Sequence, residues 1–410
     1  MSLDQFLREE RLTYSISQAE LERRWNAVRE RMASSGIDYL ITQSQQRFSS
    51  GYLRWFADIS PSGYHTTLLF PQEGEMAIVA HGPRSPAPPA FPPRWMQRGV
   101  GTVINVPSTP SVEWEDDWHA KKAAAVIEGT KKRSEVTVGF VGLGNMSGAL
   151  TEYIRKELPS AKFVNASSLV DDVKVIKSEE EQRLLKISAQ LHARSYSLAK
   201  QAVRPGRRAI DVIQEIRTDQ LSNGGEDGQV FIWFGPLGGP KYEQMSHGNG
   251  FIRRPFKDDD VVDILIECTG PGGYWYDLRR ILYIGGSPPP ELVKAHAISR
   301  EALALLVSKC APGAPAAAGM EAVNSYFREK NMPEELRILG HGQGTDMVET
   351  PMIDTEEPRL VEPGMCLALH PTAIVGGAAV SISDDYLITS NGAAPIHSRL
   401  ASDDEIAIAG

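Results

Sequence analysis

Cysteine is scarce in this sequence, because only Cys268, Cys310 and Cys366 occur among 410 residues and they stand far apart. This spacing fits neither a disulfide framework nor a zinc knuckle. No window approaches the roughly 18 uninterrupted apolar residues of a membrane span, so no membrane association is expected. Positive charge is also in short supply, since 43 Lys and Arg face 52 Asp and Glu. We therefore expect no nucleic-acid partner, because binding the phosphate backbone needs a basic surface.

The N-terminal residues are charged and contain no apolar stretch, so a secretory signal is not expected there. Together with the scarcity of cysteine, this predicts a reduced, cytoplasmic compartment. The length exceeds what one ordinary hydrophobic core supports, which favours two domains. Residues 1–172 alternate helical and strand-like stretches, and Ser178-Glu179-Glu180-Glu181 is a capping box that starts a helix in the second domain, residues 173–410.

The second half repeats one pattern. A helical stretch ends at Pro205-Gly206, a second helix follows, and apolar strand-like segments come next. The same order recurs around Pro312-Gly313, which lies 312 − 205 = 107 residues later. Two copies would pack their sheets together and cover them with helices. The pattern predicts an α+β protein, in which an α/β domain precedes a domain with a pseudo-two-fold repeat.

One glycine-rich segment imitates a dinucleotide-binding loop. It follows a strand-like stretch and contains Gly139, Gly142 and Gly144, but the next glycine, Gly148, comes one place late. The next strand-like stretch ends in Asn165, where an acidic residue would bind a ribose. We interpret the segment as a structural turn and expect no nucleotide cofactor.

Three of the nine histidines stand where a ligand would have room. His247 stands between Ser246 and Gly248, His341 is flanked by glycines on both sides, and His370 ends an apolar strand-like run. Glu267 interrupts another apolar run, where a buried charge is costly unless it is paired or metal-bound. A hairpin around residues 270–273 would bring Glu267 beside Asp277 in one pocket, and a shared pocket raises one carboxyl pKa or requires a cation.

These residues carry a family likeness. The second half resembles the pita-bread fold of methionine aminopeptidases, prolidases and creatinase, and the first half resembles the creatinase/prolidase N-terminal domain. The segments that carry the resemblance are residues 48–52, 175–178, 273–280, 340–344, 349–351, 363–365, 385–389 and 391–392.

The resemblance implies an altered metal site. The metallopeptidases of this fold hold two cations with Asp, Asp, His, Glu and Glu, of which Asp277 matches the second Asp and His341 the His. The first Asp falls on Leu265 or on Glu267, and the two Glu positions hold His370 and Ser383. An intact two-metal centre is therefore not expected. Either no metal is bound, or Glu267, Asp277, His341 and His370 hold one Zn, Fe or Mn ion.

The resemblance to creatinase implies a hydrolase of a C–N bond in a small, non-peptide, polar substrate, in which His247 carries the proton and peptidase activity is not expected. The catalytic pocket would contain Glu267, Asp277, His341 and His370. Three alternatives stay open: a metal-dependent lyase that resembles dimethylsulfoniopropionate lyase, an Xaa-Pro-type metallopeptidase, and a non-catalytic ligand-binding module.

The family resemblance also implies a homodimer and further substrate-binding residues. Arg54 and Trp55 resemble a loop that reaches the pocket of the other subunit, where Arg54 would pair with a substrate carboxylate. Trp233 and Tyr274 belong to segments that match the family and are expected to contact a small-molecule substrate.

Overall fold

The computed structural model describes residues 16–44, 51–60, 63–83, 97–107, 109, 115–129, 135–239, 242–244, 254–397 and 406–409. The chain divides into two compact units, Met1–Lys174 and Val175–Gly410. The sequence predicts this boundary between residues 172 and 173. Among the described helices, none is both long enough and apolar enough to cross a membrane.

The N-terminal unit is an α/β unit, as the sequence predicts. Its first helix begins where the Ser17 hydroxyl accepts a hydrogen bond from the Glu20 amide, and it ends at Gly36, which adopts a left-handed conformation (φ 64°). The elements of the unit are α1 Gln18–Ser35, β1 Tyr39–Ser44, α2 Gly51–Ala57, β2 Thr66–Pro71, β3 Met76–His81, β4 Val100–Val106, α3 Glu115–Gly129, β5 Thr137–Phe140, α4 Gly148–Glu157, β6 Lys162–Asn165 and α5 Ser167–Lys174.

The six strands form one mixed sheet in the order β4-β3-β2-β1-β5-β6. Strand β1 pairs antiparallel with β2 and parallel with β5, so this central strand has one neighbour of each orientation. After β5, the chain turns at Gly142 (φ 69°), whose amide donates to the Ser167 hydroxyl at 3.0 Å. The glycine-rich segment therefore forms a turn that Ser167 holds from within the unit.

The C-terminal unit contains the expected helix pairs and strands. The capping box at its first helix is present, because Ser178 and Glu181 each bond to the backbone amide of the other. Its elements are α6 Glu179–Ala202, α7 Ala209–Ser222, β7 Asp227–Pro236, β8 Tyr242–Gln244, β9 Asp260–Thr269, β10 Trp275–Ile284, α8 Pro290–Lys309, α9 Ala318–Glu329, β11 Gly340–Gly342, β12 Glu349–Met352, β13 Cys366–Leu369, β14 Thr372–Val375, β15 Ala378–Ser381, β16 Asp384–Thr389, β17 Gly392–Pro395 and β18 Ala407–Ala409.

The two Pro-Gly stops have the same local geometry. Gly206 and Gly313 adopt φ values of 84° and 83°, which other residues rarely reach. Each glycine amide donates to a carbonyl further along the chain, that of Phe256 at 2.9 Å and that of Val361 at 2.8 Å. The pseudo-two-fold repeat predicted from the sequence is therefore present, and its two copies share the hydrogen bond made by the glycine at each stop.

Each half of the repeat places a sheet against a helix pair. The first sheet has the order β18-β10-β9-β7-β8 and the second β12-β11-β13-β16-β17. Val262, Ile264 and Ile266 of β9 are fully buried in one hydrophobic cluster with residues of α6 and α7. Because side chains alternate along a strand, the intervening residues of β9 point to the other face of the sheet. This second face carries the candidate site.

Candidate functional site

Two carboxyl groups lie side by side on the face of the first sheet that is turned away from the helices. Asp277 of β10 pairs with Glu267 of β9, which in turn pairs with Gln229 of β7. Directly opposed residues of neighbouring strands project to the same side, so the two acids share one surface. Asp277 is buried and Glu267 is partly buried. The hairpin predicted from the sequence is confirmed.

Two histidines come from the second sheet. His341 of β11 pairs with Ala368 of β13, and His370 follows two positions after Ala368, so both imidazoles project to the same face. The His341 Nδ1 lies 2.9 Å from the carbonyl of Gly342, which accepts a hydrogen bond from it. The Nε2 of His341 is therefore left with a lone pair for a ligand.

The two sheets meet at β10 and β16. Arg279 and Ser383 form an antiparallel bridge with two hydrogen bonds of 3.3 Å, and the Trp275 amide donates to the Gly344 carbonyl at 2.8 Å. This junction brings one ligand atom each of Asp277, His341 and His370 within 4.8 Å of one another. The His341 and His370 ring centroids are 5.4 Å apart. Three of the four predicted ligands thus converge, and Glu267 is not in the group.

Burial works against charge on these side chains. It raises the pKa of Asp277 to about 7, and burial together with the neighbouring Asp277 raises the pKa of Glu267 to about 8. Burial also lowers the pKa of His341, and burial and the adjacent His341 lower that of His370 to about 3. At neutral pH, both imidazoles are therefore uncharged.

These residues fit a divalent cation. The Asp277 Oδ1 atom is buried and has no hydrogen-bond partner among the described residues, and a cation would satisfy it. Neutral imidazole is the form of histidine that ligates metals. One carboxylate and two imidazoles suit zinc, iron or manganese and leave coordination positions open.

A carboxyl group that the sequence analysis missed also faces the site. Arg279 and Ser383 form the bridge between the two sheets. Asp277 comes two residues before Arg279, and Asp385 comes two residues after Ser383. The Asp277 amide donates to the Asp385 Oδ1 at 3.4 Å. Burial and Asp277 raise the pKa of Asp385 well above its usual value. The sequence contained a signal for this acid. Side chains alternate along a strand, so Asp385 projects to the same face as Ser383, two residues before it.

The other residues predicted to bind substrate lie in different surroundings. Trp233 is on the site face of β7, where its ring stacks on Phe231 at 5.4 Å between centroids. Tyr274 does not line the site as expected, because it is only 1% exposed and its hydroxyl donates to Glu181 at 2.9 Å. His247 lies outside the described residues.

The structure also does not support the roles predicted for Arg54 and Trp55. Arg54 is buried inside the N-terminal unit, where its guanidinium lies 3.3 Å from the Asp58 carboxylate and 3.1 Å from the Ser60 hydroxyl. Trp55 is 1% exposed and packs edge-on against Phe56. Both side chains are occupied by interactions within their own unit, so neither is displayed for a substrate.

The sequence model of metallopeptidase family M24 matches residues 183–390, just over half of the chain. The matched segment contains the converging triad. The chain belongs to metallopeptidase family M24. A relative, the Xaa-Pro dipeptidase of Pyrococcus furiosus, is 24% identical over 254 residues, which cover 61% of this chain and 71% of that protein.

Solved structures share the fold of this chain over nearly its whole length. The prolidase from Thermococcus sibiricus is similar with a TM-score of 0.76 at 18% identity, covering 97% of this chain and 100% of that one. The dipeptidase PepE from Mycobacterium ulcerans has a TM-score of 0.71 at 20% identity, covering 96% and 99%. The predicted pita-bread architecture with its creatinase/prolidase-type N-terminal domain is confirmed.

The M24 relatives correct the function predicted from the sequence. The expectation of a creatinase-like hydrolase for a non-peptide substrate is wrong, and so is the expectation that peptidase activity is absent, because the named relatives are dipeptidases and prolidases. The error came from reading the altered ligands as the loss of a peptidase centre. The prediction of a hydrolase acting on a C–N bond is consistent with these relatives, since a peptide bond is one.

Proposed function

We propose that this protein is a metal-dependent dipeptidase with a single divalent cation held by Asp277, His341 and His370. The observation that carries the proposal is the convergence of these three ligand atoms within 4.8 Å, inside the segment that matches the M24 metallopeptidases. The dipeptidase activity named for its relatives supports the substrate class. Zinc, iron and manganese are the candidate cations, because each accepts imidazole and carboxylate ligands.

A divalent cation at this position supplies Lewis-acid chemistry, which polarises a peptide carbonyl and makes water more acidic. The chain supplies the geometry. His341 is oriented by the hydrogen bond from its Nδ1 to the Gly342 carbonyl, which leaves its Nε2 to bind a cation. Asp277 is fixed by its place in β10 and by the hydrogen bond of its amide to Asp385.

Glu267 is the candidate for proton transfer. Glu267 is partly buried and lies directly across the ladder from Asp277. Burial and the charge of Asp277 raise its pKa to about 8, near the pH at which a group both accepts and donates a proton readily. In the proposed reaction, the carboxylate form of Glu267 takes a proton from the attacking water and later returns it to the nitrogen that leaves when the C–N bond breaks.

The test combines metal content with hydrolysis of defined dipeptides. The purified protein is expected to contain about one equivalent of zinc, iron or manganese and to hydrolyse Ala-Pro or Ala-Ala, with both properties lost in His341→Ala. Asp211→Asn is a matched control, because Asp211 lies on α7 in an exposed ion pair with Arg208. Full dipeptide turnover by a metal-free preparation, or a loaded protein inactive on every dipeptide, would contradict the proposal.

A further inference from the structure

A buried ion pair anchors the loop that follows His341. The Lys177 Nζ atom lies 2.8 Å from a carboxylate oxygen of Glu349, and the two side chains are 2% and 5% exposed. Lys177 stands directly before the capping box of α6, and Glu349 begins β12, 172 residues later. Taking two charges out of water often costs more free energy than their attraction returns. A role in the neighbouring site would explain why both charges are buried here.

The Glu349 carboxylate forms the centre of the loop between β11 and β12. Its Oε1 accepts a hydrogen bond from the Asp346 amide at 3.0 Å, and its Oε2 accepts one from Lys177. Gly344 packs directly against it, because a Cβ atom at this glycine would lie only 2.4 to 2.7 Å from the carboxylate atoms. The loop therefore closes around one negative charge, which Lys177 balances.

The same loop connects this carboxylate to His341. Gly342 pairs with Glu349 across the β11–β12 ladder, and the Gly342 carbonyl accepts the hydrogen bond from His341 Nδ1. The Gly344 carbonyl accepts a hydrogen bond from the Trp275 amide of β10, which is one of the contacts that join the two sheets. The position of the Glu349 loop therefore affects both the orientation of the His341 ring and the contact of this loop with β10.

The charge of Glu349 also acts on His341 through space. Burial lowers the pKa of His341, whereas the hydrogen bond to Gly342 and the charge of Glu349 oppose this lowering. A negative charge that favours a proton on an imidazole also favours a metal cation there, because both place positive charge on the ring. Lys177 keeps this carboxylate charged, since an unpaired carboxylate buried to this degree would take up a proton.

We propose that Glu349, held in its charged form by Lys177, is a positioning residue that orients His341 and raises the affinity of the triad for its divalent cation. This inference rests on the proposed function, in which the triad binds that cation. Glu349 acts through His341 and is not itself a ligand, so the inference adds a second layer of residues to the proposed metal site.

The test replaces the ion pair without leaving either charge unpaired. In Lys177→Gln/Glu349→Gln, an amide at position 349 can still accept the hydrogen bond from Asp346, and the net charge of the chain is unchanged. Calorimetric titration of the metal-free protein with manganese or zinc should give a Kd about tenfold to a hundredfold higher than that of the wild type, the range for groups that support a metal ligand. Arg328→Gln/Glu321→Gln, which neutralises an exposed ion pair on α9, should keep the wild-type Kd.

A second measurement separates this role from a purely structural one. Urea unfolding in the presence of a chelator should give the Lys177→Gln/Glu349→Gln variant a midpoint no lower than that of the wild type, because neutral side chains in place of a buried ion pair often leave stability unchanged. A lower midpoint accompanied by weaker metal binding would show that the ion pair serves the fold alone, and this result would overturn the proposal.

A second variant moves the carboxylate while every charge remains. In Gly344→Ala, the added methyl group would overlap the Glu349 carboxylate and displace it, and alanine is compatible with the backbone because φ is not positive there. The Kd for manganese or zinc should again rise by at least about tenfold, whereas Gly286→Ala, whose surroundings are open, should keep the wild-type value.

The outcomes distinguish this inference from the proposed function. Wild-type Kd values in both Gly344→Ala and Lys177→Gln/Glu349→Gln would overturn the role of Glu349 and leave the proposed peptidase intact. The absence of any manganese or zinc binding by the wild type would overturn the proposed metal-dependent function itself.

Discussion

At the scale of single residues, burial of the site disfavours the charged forms of its side chains. Asp277 and Glu267 have raised pKa values and His370 has a lowered one, so without a cation each of these groups tends towards its neutral form. A divalent cation would reverse this tendency for Asp277 by compensating its negative charge. The cost of burying these groups is therefore consistent with a binding site and is hard to explain as packing.

Glu267→Gln separates proton transfer from metal binding. The substitution removes a carboxyl group that lies outside the converging triad, so the metal content should stay unchanged while kcat falls by about 10²- to 10⁴-fold. The measurements are kcat on Ala-Pro and metal per chain. Glu215→Gln, an exposed residue of α7 paired with Arg207, is the control and should turn over normally. Loss of metal from Glu267→Gln would instead identify Glu267 as a ligand.

At the scale of elements, helix α6 fastens the strand that carries Glu267. His192 is fully buried, its Nδ1 lies 2.8 Å from the Ser188 carbonyl, and its Nε2 accepts a hydrogen bond from the Cys268 amide at 3.2 Å. Ser188 in turn bonds to Gly270 and Tyr274 at the β9–β10 turn. The arrangement requires a neutral imidazole, because a protonated Nε2 could not accept from an amide.

The stability of the protein should therefore fall as pH is lowered, in part through His192. Burial lowers the pKa of His192 to about 4, so the unfolded chain binds this proton at a higher pH than the folded one. The contribution is complete above about pH 6.5 and is lost as pH falls towards 4, amounting to about 3 kcal/mol. Urea denaturation between pH 4.5 and 7 should show a shallower pH dependence in His192→Asn than in the wild type. Equal slopes would mean that His192 is not held neutral.

The two Pro-Gly stops should respond alike to substitution. No atom lies within 4 Å of the position that a side chain would take at Gly206 or Gly313, so alanine at either site introduces only backbone strain. Gly206→Ala and Gly313→Ala should each lower the free energy of unfolding by about 1 to 2 kcal/mol. Gly286→Ala is the control, since its surroundings are equally open and its φ is not positive. Clearly unequal losses would argue against equivalent roles in the repeat.

At the scale of the whole molecule, the converging triad belongs to neither half of the repeat alone. Asp277 comes from the first half, and His341 and His370 come from the second. The junction between β10 and β16 brings the two sets together, so ligand binding at the triad is coupled to the integrity of both sheets. A cation bound only by the folded chain would stabilise the whole C-terminal unit.

Metal should raise the thermal stability accordingly. At a free concentration a hundredfold above its Kd, a single bound cation adds about 2.7 kcal/mol to the free energy of unfolding. Thermal unfolding with manganese or zinc and with a chelator should show this increase in the wild type, and Asp277→Asn should abolish it. Asp211→Asn should retain it. An identical increase in Asp277→Asn would place the stabilising metal elsewhere.

The sequence predicted much of the fold and part of the site. Some features depend only on neighbours a few residues away and can be predicted from the sequence. They are helix starts such as Ser178, the Pro-Gly stops and the Glu267–Asp277 hairpin. The roles assigned to Arg54 and Tyr274 failed because each side chain found a buried partner, Asp58 and Glu181, that spacing does not reveal. The homodimer remains a prediction.

The order of helices and strands and the repeat were determined by the sequence itself, because capping, turn geometry and periodicity act over short stretches of chain. Only the tertiary structure decided that Asp277, His341 and His370 meet and that Asp385 lies beside Asp277. Those outcomes depend on the register between strands of two sheets, and a shift of one residue would turn each side chain to the opposite face.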